Sequence, residues 1–333
     1  MRYSNSKFIK MKHICVYITL IMSFTSISCQ SQIQKQEPGK TNEDTVDATQ
    51  TQAIVPDTFV LPVIPASITN AEKRAEFLTM HYWDRFDFTD NDLLLRPEIT
   101  EQAFADFINI LSYVSNDWAT KSIKHMLQKI ESNSNSYSHF LQLYEKYLYE
   151  PNSPFLNEEY YIPVLETTVN SKILTDTSKS RYLFQLDLAK KNRVGQIANN
   201  FTFTLLSGKK GTLYDINSKY TILMFINPGC RMCAEVVDAL KSSNEVNTAL
   251  AKKSALKSEL SIITVYPDDD LNEWLKYLPD MPSLWINSYD AERKITNDTI
   301  YDLKAIPTIY LLDNDKRVIF KDAKVERILE FFR

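Results

Sequence analysis

Glycine is scarce in this 333-residue chain: there are five, and none lies between Lys40 and Val194. A stretch that long without the residue that most readily takes positive φ reads as helical rather than as a series of tight β-turns. A basic excess is missing too. Lys and Arg number 38 against 42 Asp and Glu, a net charge of −4, which argues against a nucleic-acid binder. No glycine-rich nucleotide motif is present, and the four cysteines are few enough for each to be weighed singly. What is there is ordinary for a globular protein, with 44% hydrophobic and 24% charged residues, and the length allows two domains.

The first 29 residues are expected to be a targeting segment rather than part of the fold. Arg2, Lys7, Lys10 and Lys12 form a basic region, and Ile14 to Ser28 is a mostly apolar run of 15 residues. A spanning helix needs ~20. The run ends in "SISCQ", small residues leading to Cys29, which resembles a bacterial lipobox with Ser26 where Leu is usual. That resemblance implies a lipid on Cys29, attachment to a membrane and a periplasm-facing place in the cell envelope. A plain cleaved signal peptide and an uncleaved apolar anchor are the other readings. With Cys15 lost in the signal and Cys29 lipidated, Cys230 and Cys233 remain as the protein thiols, in a compartment where disulfides persist.

Residues 30–56 are polar, rich in Gln and Thr, and read as a flexible tether. From 57 to 193 the apolar pattern is helical, and about six helices make an all-α domain. Thr69 and Glu72 stand at capping-box spacing before the first. Ala103, Phe104, Phe107, Leu111 and Val114 recur at three- and four-residue steps, as do Trp118, Ile123, Met126, Leu127 and Ile130. Tyr137, Phe140, Leu141, Tyr144, Tyr147 and Leu148 follow, then Tyr160, Tyr161, Val164 and Leu165, then Tyr182, Leu183 and Leu186. At this spacing the aromatic residues read as core rather than as a cofactor or glycan platform. His81, His125 and His139 are isolated. Asp84, Asp87 and Asp90 read as helix caps or a docking surface in preference to a cation site.

Residues 194–333 change character. "FTFTLL" alternates, "SGKKG" turns into "TLYDI", and "YTILMFI" is a continuous apolar run of the kind buried on both faces. "LSIITVY" and "IPTIYLLD" are two more such strands. A helix begins around Cys230, and "DDDLNEWLKYL" is another, its Asp268, Asp269 and Asp270 explained by capping and the helix dipole. The turn "DNDK", the strand "RVIF" and the amphipathic "VERILEFF" close the chain. Such alternation implies an α/β domain, a mixed central sheet flanked by helices.

Cys230 and Cys233 stand in "FINPGCRMCAEV", directly after the first buried strand. A thiol at a helix N-terminus meets unpaired backbone N–H groups and the positive helix end, which stabilise thiolate. A second thiol one turn along is close enough for a small-loop disulfide that exchange opens easily. Cys230 is therefore the expected nucleophile and Cys233 the resolving thiol, with a Cys230–Cys233 disulfide between them. Arg231 adds positive charge, and Glu235 is a candidate accessory acid. Zinc fails on inventory, because a structural site takes four Cys or His ligands. Neither another internal cysteine nor a His-x₃₋₅-His pair supplies them. So short a bridge stabilises little, which makes a purely structural staple unattractive.

Further along, "AIPTIYLLD" places Pro307 just before a strand, a position proline tolerates. The order strand, CxxC helix, strand, helix, "IPT" strand, hairpin and C-terminal helix resembles thioredoxin. The opening "VGQIANNFTFTLLSGKKGTLYDINSKYTILMFI" is similar, more narrowly, to the TlpA-like membrane-attached thiol-disulfide oxidoreductases, over about residues 194–333. The resemblance implies that Pro307 is cis and lies against the disulfide, and that Pro307 with Ile306 shapes the groove for the partner chain. It also implies protein thiol or disulfide substrates, an upstream redox donor and no cofactor. Three positions depart from the pattern. Pro228 and Gly229 replace an aromatic residue, Met224 replaces a buried acid six residues before Cys230, and Val236 replaces a Glu three residues after Cys233.

In the N-terminal half, "HYWDRFDFTD" and "PNSPFLNEEYYIPVLE" resemble the helical domain of unknown function that precedes thioredoxin-like domains in certain Gram-negative lipoproteins. The expected protein is a lipid-anchored thiol-disulfide oxidoreductase of the cell envelope. The alternative is an envelope lipoprotein that binds or docks a partner, its CxxC weakly active or inert.

Overall fold

Helical spacing of apolar residues organises the first half of the described chain. The computed structural model describes residues 58–254 and 257–333; the expected targeting segment 1–29, with Cys29, and the tether 30–56 lie outside the described residues. The helices are α1 (Ala71–His81), the single turn α2 (Asn91–Leu94), α3 (Thr100–Ile110), α4 (Asn116–Ile130), α5 (Ser134–Leu148), α6 (Glu158–Asn170) and α7 (Asp176–Lys190). The periodic residues face inward: Phe104 and Phe107 from α3, Ile123 and Leu127 from α4, Tyr137, Phe140 and Tyr144 from α5. Their rings meet edge to face, Trp83 with Phe140 at 5.1 Å and Phe104 with Tyr144 at 4.8 Å between centroids. Each such pair adds about 0.5–1.5 kcal/mol beyond its area. The aromatic stripe is core.

Two local expectations change. The cap of α1 is Asn70, not Thr69: its side-chain oxygen accepts the Lys73 N–H at 3.0 Å, and Glu72 is left in the first turn. Asn reaches that N–H as well as Thr does, and its position one residue later sets the helix start. Leu183 is not core. It and Phe184 are about half exposed, while α7 turns Gln185, Leu188 and Ala189 inward; with that stripe facing the core, Leu183 and Phe184 fall on the solvent side of the helix. The acidic residues are local ties. Asp90 caps α2, Asp87 accepts from Thr89, and Asp84 pairs with Lys129 and, at 2.7 Å, with His81. Among the described residues no group of three or more His, Cys, Asp or Glu could hold a metal ion, and no helix is long and apolar enough to cross a membrane.

The second half contributes β1 (Thr202–Leu205), β2 (Lys210–Thr212), β3 (Ser218–Phe225), α8 (Arg231–Ser242), α9 (Asn244–Ala251), β4 (Ser258–Tyr266), α10 (Leu271–Tyr277), β5 (Ile286–Tyr289), the single turn α11 (Lys294–Asn297), β6 (Thr308–Leu312), β7 (Val318–Phe320) and α12 (Val325–Phe331). They form one mixed sheet in the order β2-β1-β5-β4-β3-β6-β7. β3 runs parallel to β4 and antiparallel to β6. Its alternate residues serve opposite faces: Ile222 and Met224 pack with Val236, Val237 and Leu240 of α8, whereas Leu223 and Phe225 pack with Phe201, Leu213 and Tyr301. Burial on both sides explains the unbroken apolar run.

Asp270 caps α10, accepting the Glu273 N–H at 3.2 Å, and Asp269 pairs with Arg293. β5 is a strand the sequence pattern does not announce, because "INSY" is half polar. Its polar groups are satisfied inside the sheet: Asn287 accepts from Thr264 and Ser288 donates to the Thr264 carbonyl, both at 2.8 Å. One register matters for the site. Phe225 stands opposite Thr308, so the residue before β6 lies beside the point where the chain leaves β3 for α8.

Candidate functional site: a disulfide at a helix N-terminus

The end of β3 delivers the cysteine pair. Ile226 still donates to the Val265 carbonyl at 3.1 Å, and the chain then turns through Asn227, Pro228 and Gly229. Gly229 has φ 71°, a left-handed conformation that a side chain would strain. Cys230 is the N-cap of α8, and its Sγ accepts the Cys233 N–H at 3.2 Å. The helix end that would favour thiolate is therefore directed at this sulfur. Cys230 and Cys233 are joined as a disulfide, with Cα atoms 5.2 Å apart. Their exposure differs. Cys233 is fully buried in the layer that holds Met224, Val236 and Ala323, while Cys230 is partly exposed.

Pro307 follows Ile306 through a cis peptide bond, and the Ile306 carbonyl oxygen lies 3.6 Å from Cys230 Sγ, within reach of a thiol donor. The cysteines and the Ile306–Pro307 pair, far apart in sequence, thus meet where β3 ends and β6 begins, at one end of these interior strands. The accessory residues do not join them. Arg231 Nε donates to Glu235 at 2.9 Å, one helical turn on, with the arginine side chain 89% exposed. Its guanidinium is held along the helix surface by Glu235 rather than against the sulfur, and Glu235 faces solvent. Met224 and Val236 are buried and apolar, so neither offers Cys233 a proton.

A buried ionic cluster behind Pro307 was not anticipated. Lys304, two residues before Ile306 and 9% exposed, pairs with Glu158 of α6, with Asp302 at 3.0 Å and with Asp322 at 3.1 Å. Lys321 reaches the same Glu158 at 2.6 Å. The Lys304 ammonium also lies 4.6 Å from the centre of the Tyr149 ring, whose hydroxyl donates to Asp302 at 3.0 Å. Burial opposes the charge on Lys304, but Asp322, Glu158 and Asp302 together outweigh it and hold its pKa above the ordinary range. Burial likewise pushes the Asp322 carboxyl up, against the pull of Lys304. Only the density of charge in "DLKAIP" and "KDAK" could have signalled this, and such runs are usually solvated. Beside the cluster a cleft of about 330 Å³ opens at Pro307, lined by Met232 and Val236 of α8 and by Pro151 and Leu156 of the α5–α6 loop.

Comparison with known proteins bears on both halves. Residues 28–192 match the family profile described as Domain of unknown function (DUF5106), and residues 217–318 match the one described as Thioredoxin-like. The chain is similar over 83% of its length to the crystal structure of a thioredoxin-like protein from Bacteroides caccae, covering 98% of that chain at 42% identity and a TM-score of 0.79. The C-terminal domain of an uncharacterized protein from Bacteroides fragilis is 46% identical over 42% of this chain and 97% of its own, at a TM-score of 0.40. The thioredoxin domain of a thiol-disulfide oxidoreductase from Bacteroides vulgatus matches 42% of this chain and 99% of its own, at 20% identity and a TM-score of 0.34. No curated protein matches.

Proposed function

The chain belongs to the thioredoxin-like family, and from that premise we propose that it is a thiol-disulfide oxidoreductase acting on partner proteins of the cell envelope. Cys230 is the attacking sulfur. As thiolate it bonds to one sulfur of a partner disulfide, and the other partner sulfur leaves as thiolate. Cys233 then attacks Cys230 Sγ, the second partner sulfur leaves, and the pair ends as the Cys230–Cys233 disulfide. Two electrons pass to the partner, and a dithiol protein must return them. Pro307 and the Ile306 backbone align the partner chain. The exchange needs no group beyond the sulfurs.

The observation that carries this reading is the asymmetry of the pair: a partly exposed Cys230 capping α8, backed by a fully buried Cys233. A second reading, a docking module with an inert bridge, draws support from the apolar Met224 and Val236 at positions where an acid was expected. Attachment through a lipid on Cys29 rests on the sequence of residues 1–29 alone. One experiment addresses partner and place together. Cys233→Ala in cells should accumulate mixed disulfides that reductant releases, in the membrane fraction, while Cys230→Ser accumulates none. Equal yields from the two variants would sink the mechanism, and recovery in the soluble fraction would sink the anchor.

A further inference from the structure

The reacting segment of a partner must bring its sulfur up to Cys230, and the cleft at Pro307 lies next to that sulfur: Ile306, which lines it, has its carbonyl oxygen 3.6 Å from Cys230 Sγ. Met232, Val236, Ile306 and Pro307 give it an apolar lining from the thioredoxin-like domain. The other domain lines it too, with Pro151, Asn152 and Leu156 in the loop between α5 and α6. Within that loop Phe155 packs on the helical core, whereas its neighbour Leu156 is half-buried and lines the cleft. The loop is also fixed to the site. It ends at Asn157, the cap of α6, and the next residue, Glu158, is paired with Lys304, two residues ahead of Ile306.

Resting on the exchange reading above, we propose that the helical domain supplies one wall of the substrate cleft and that Leu156 is a specificity-determining residue. The occupant is an extended segment of a partner protein, and Leu156 with Met232 and Val236 receives a bulky apolar side chain next to its reacting cysteine. The charged residues of the lining, Lys304, Asp322, Lys324 and Glu326, are two of each sign and favour neither kind of partner charge. An apolar pocket discriminates modestly between side chains, on the order of tenfold or more for a few methylenes.

The test uses the full chain, reduced by dithiothreitol, and two peptides that differ only in carrying Leu or Ser beside a cysteine blocked as its glutathione mixed disulfide. Turnover releases free peptide and glutathione, and the dithiothreitol is oxidised. Wild type should prefer the Leu peptide by about tenfold in kcat/KM, mainly through KM. Leu156→Glu should bring that ratio to about one, and Leu156→Met should retain it. Asn152→Trp, at an exposed loop position, should also lower the ratio by narrowing the cleft, and carries the test if Leu156→Glu does not fold. A ratio near one in wild type, with the aromatic disulfide 5,5′-dithiobis(2-nitrobenzoate) still turned over, would overturn the proposal and leave the redox reading standing. A preference that persists in both Leu156→Glu and Asn152→Trp would overturn it as well. No turnover of the aromatic disulfide or of either peptide would overturn the redox reading and this proposal with it.

Discussion

Lys304 holds its ammonium among Glu158, Asp302 and Asp322 with its side chain 9% exposed. Removing it would leave carboxylates facing one another in a poorly hydrated site, and breaking a buried pair from one side costs about 3–5 kcal/mol. Lys304→Met should therefore destabilise the protein by that amount in urea unfolding; a loss under about 1 kcal/mol would contradict the account of the cluster. The sign of its pH dependence follows from a pKa raised in the fold. The contribution is fully present below the ordinary lysine value and is lost only as alkaline pH rises through the folded one. At this scale legibility divides sharply. Cys230 and Cys233 could be read because a two-residue spacing at a helix start is local. Glu158 and Lys304 stand 146 residues apart, so nothing in either neighbourhood announces their pairing. Arg231 was a local reading that a local partner overrode: Glu235, four residues on, takes its guanidinium.

Among the elements, α6 bridges the two halves, since its first residue enters the cluster behind Pro307. Its start is set by Asn157, whose side-chain oxygen accepts the N–H groups of Glu159 at 3.1 Å and Tyr160 at 3.4 Å. Replacing such a cap by alanine costs about 1 kcal/mol. Asn157→Ala should lower the urea midpoint accordingly with an unchanged slope, and an unchanged midpoint would show that α6 is held by packing alone. Strong periodicity made most elements readable. α3, α4 and α5 present one apolar stripe each, and β3, β4 and β6 carry the apolar runs 222–225, 262–263 and 309–312, whose residues are covered on both faces. β5 escaped because "INSY" satisfies its half-buried Asn and buried Ser by hydrogen bonding them to Thr264 across the sheet, so its polarity imitates a loop. Leu183 misled for the converse reason: an apolar residue in a helix counted as inward although its neighbours had filled the stripe.

In the molecule as a whole, a helical domain and a mixed sheet share a buried ionic cluster and a cleft near the end of β3, where the disulfide lies. Fold class was legible because strand and helix alternate after Val194 and apolar residues recur at helical spacing before it. The joint between the domains was not, since it rests on contacts between residues far apart in the chain. The account turns on whether this disulfide is poised for exchange. The direct measurement is the midpoint potential of the Cys230–Cys233 couple in the full chain, titrated against dithiothreitol and glutathione buffers at pH 7. Exchange chemistry predicts a value between about −270 and −120 mV, the span of known thiol-disulfide exchange proteins. A value below about −300 mV, where structural bridges lie, would contradict it.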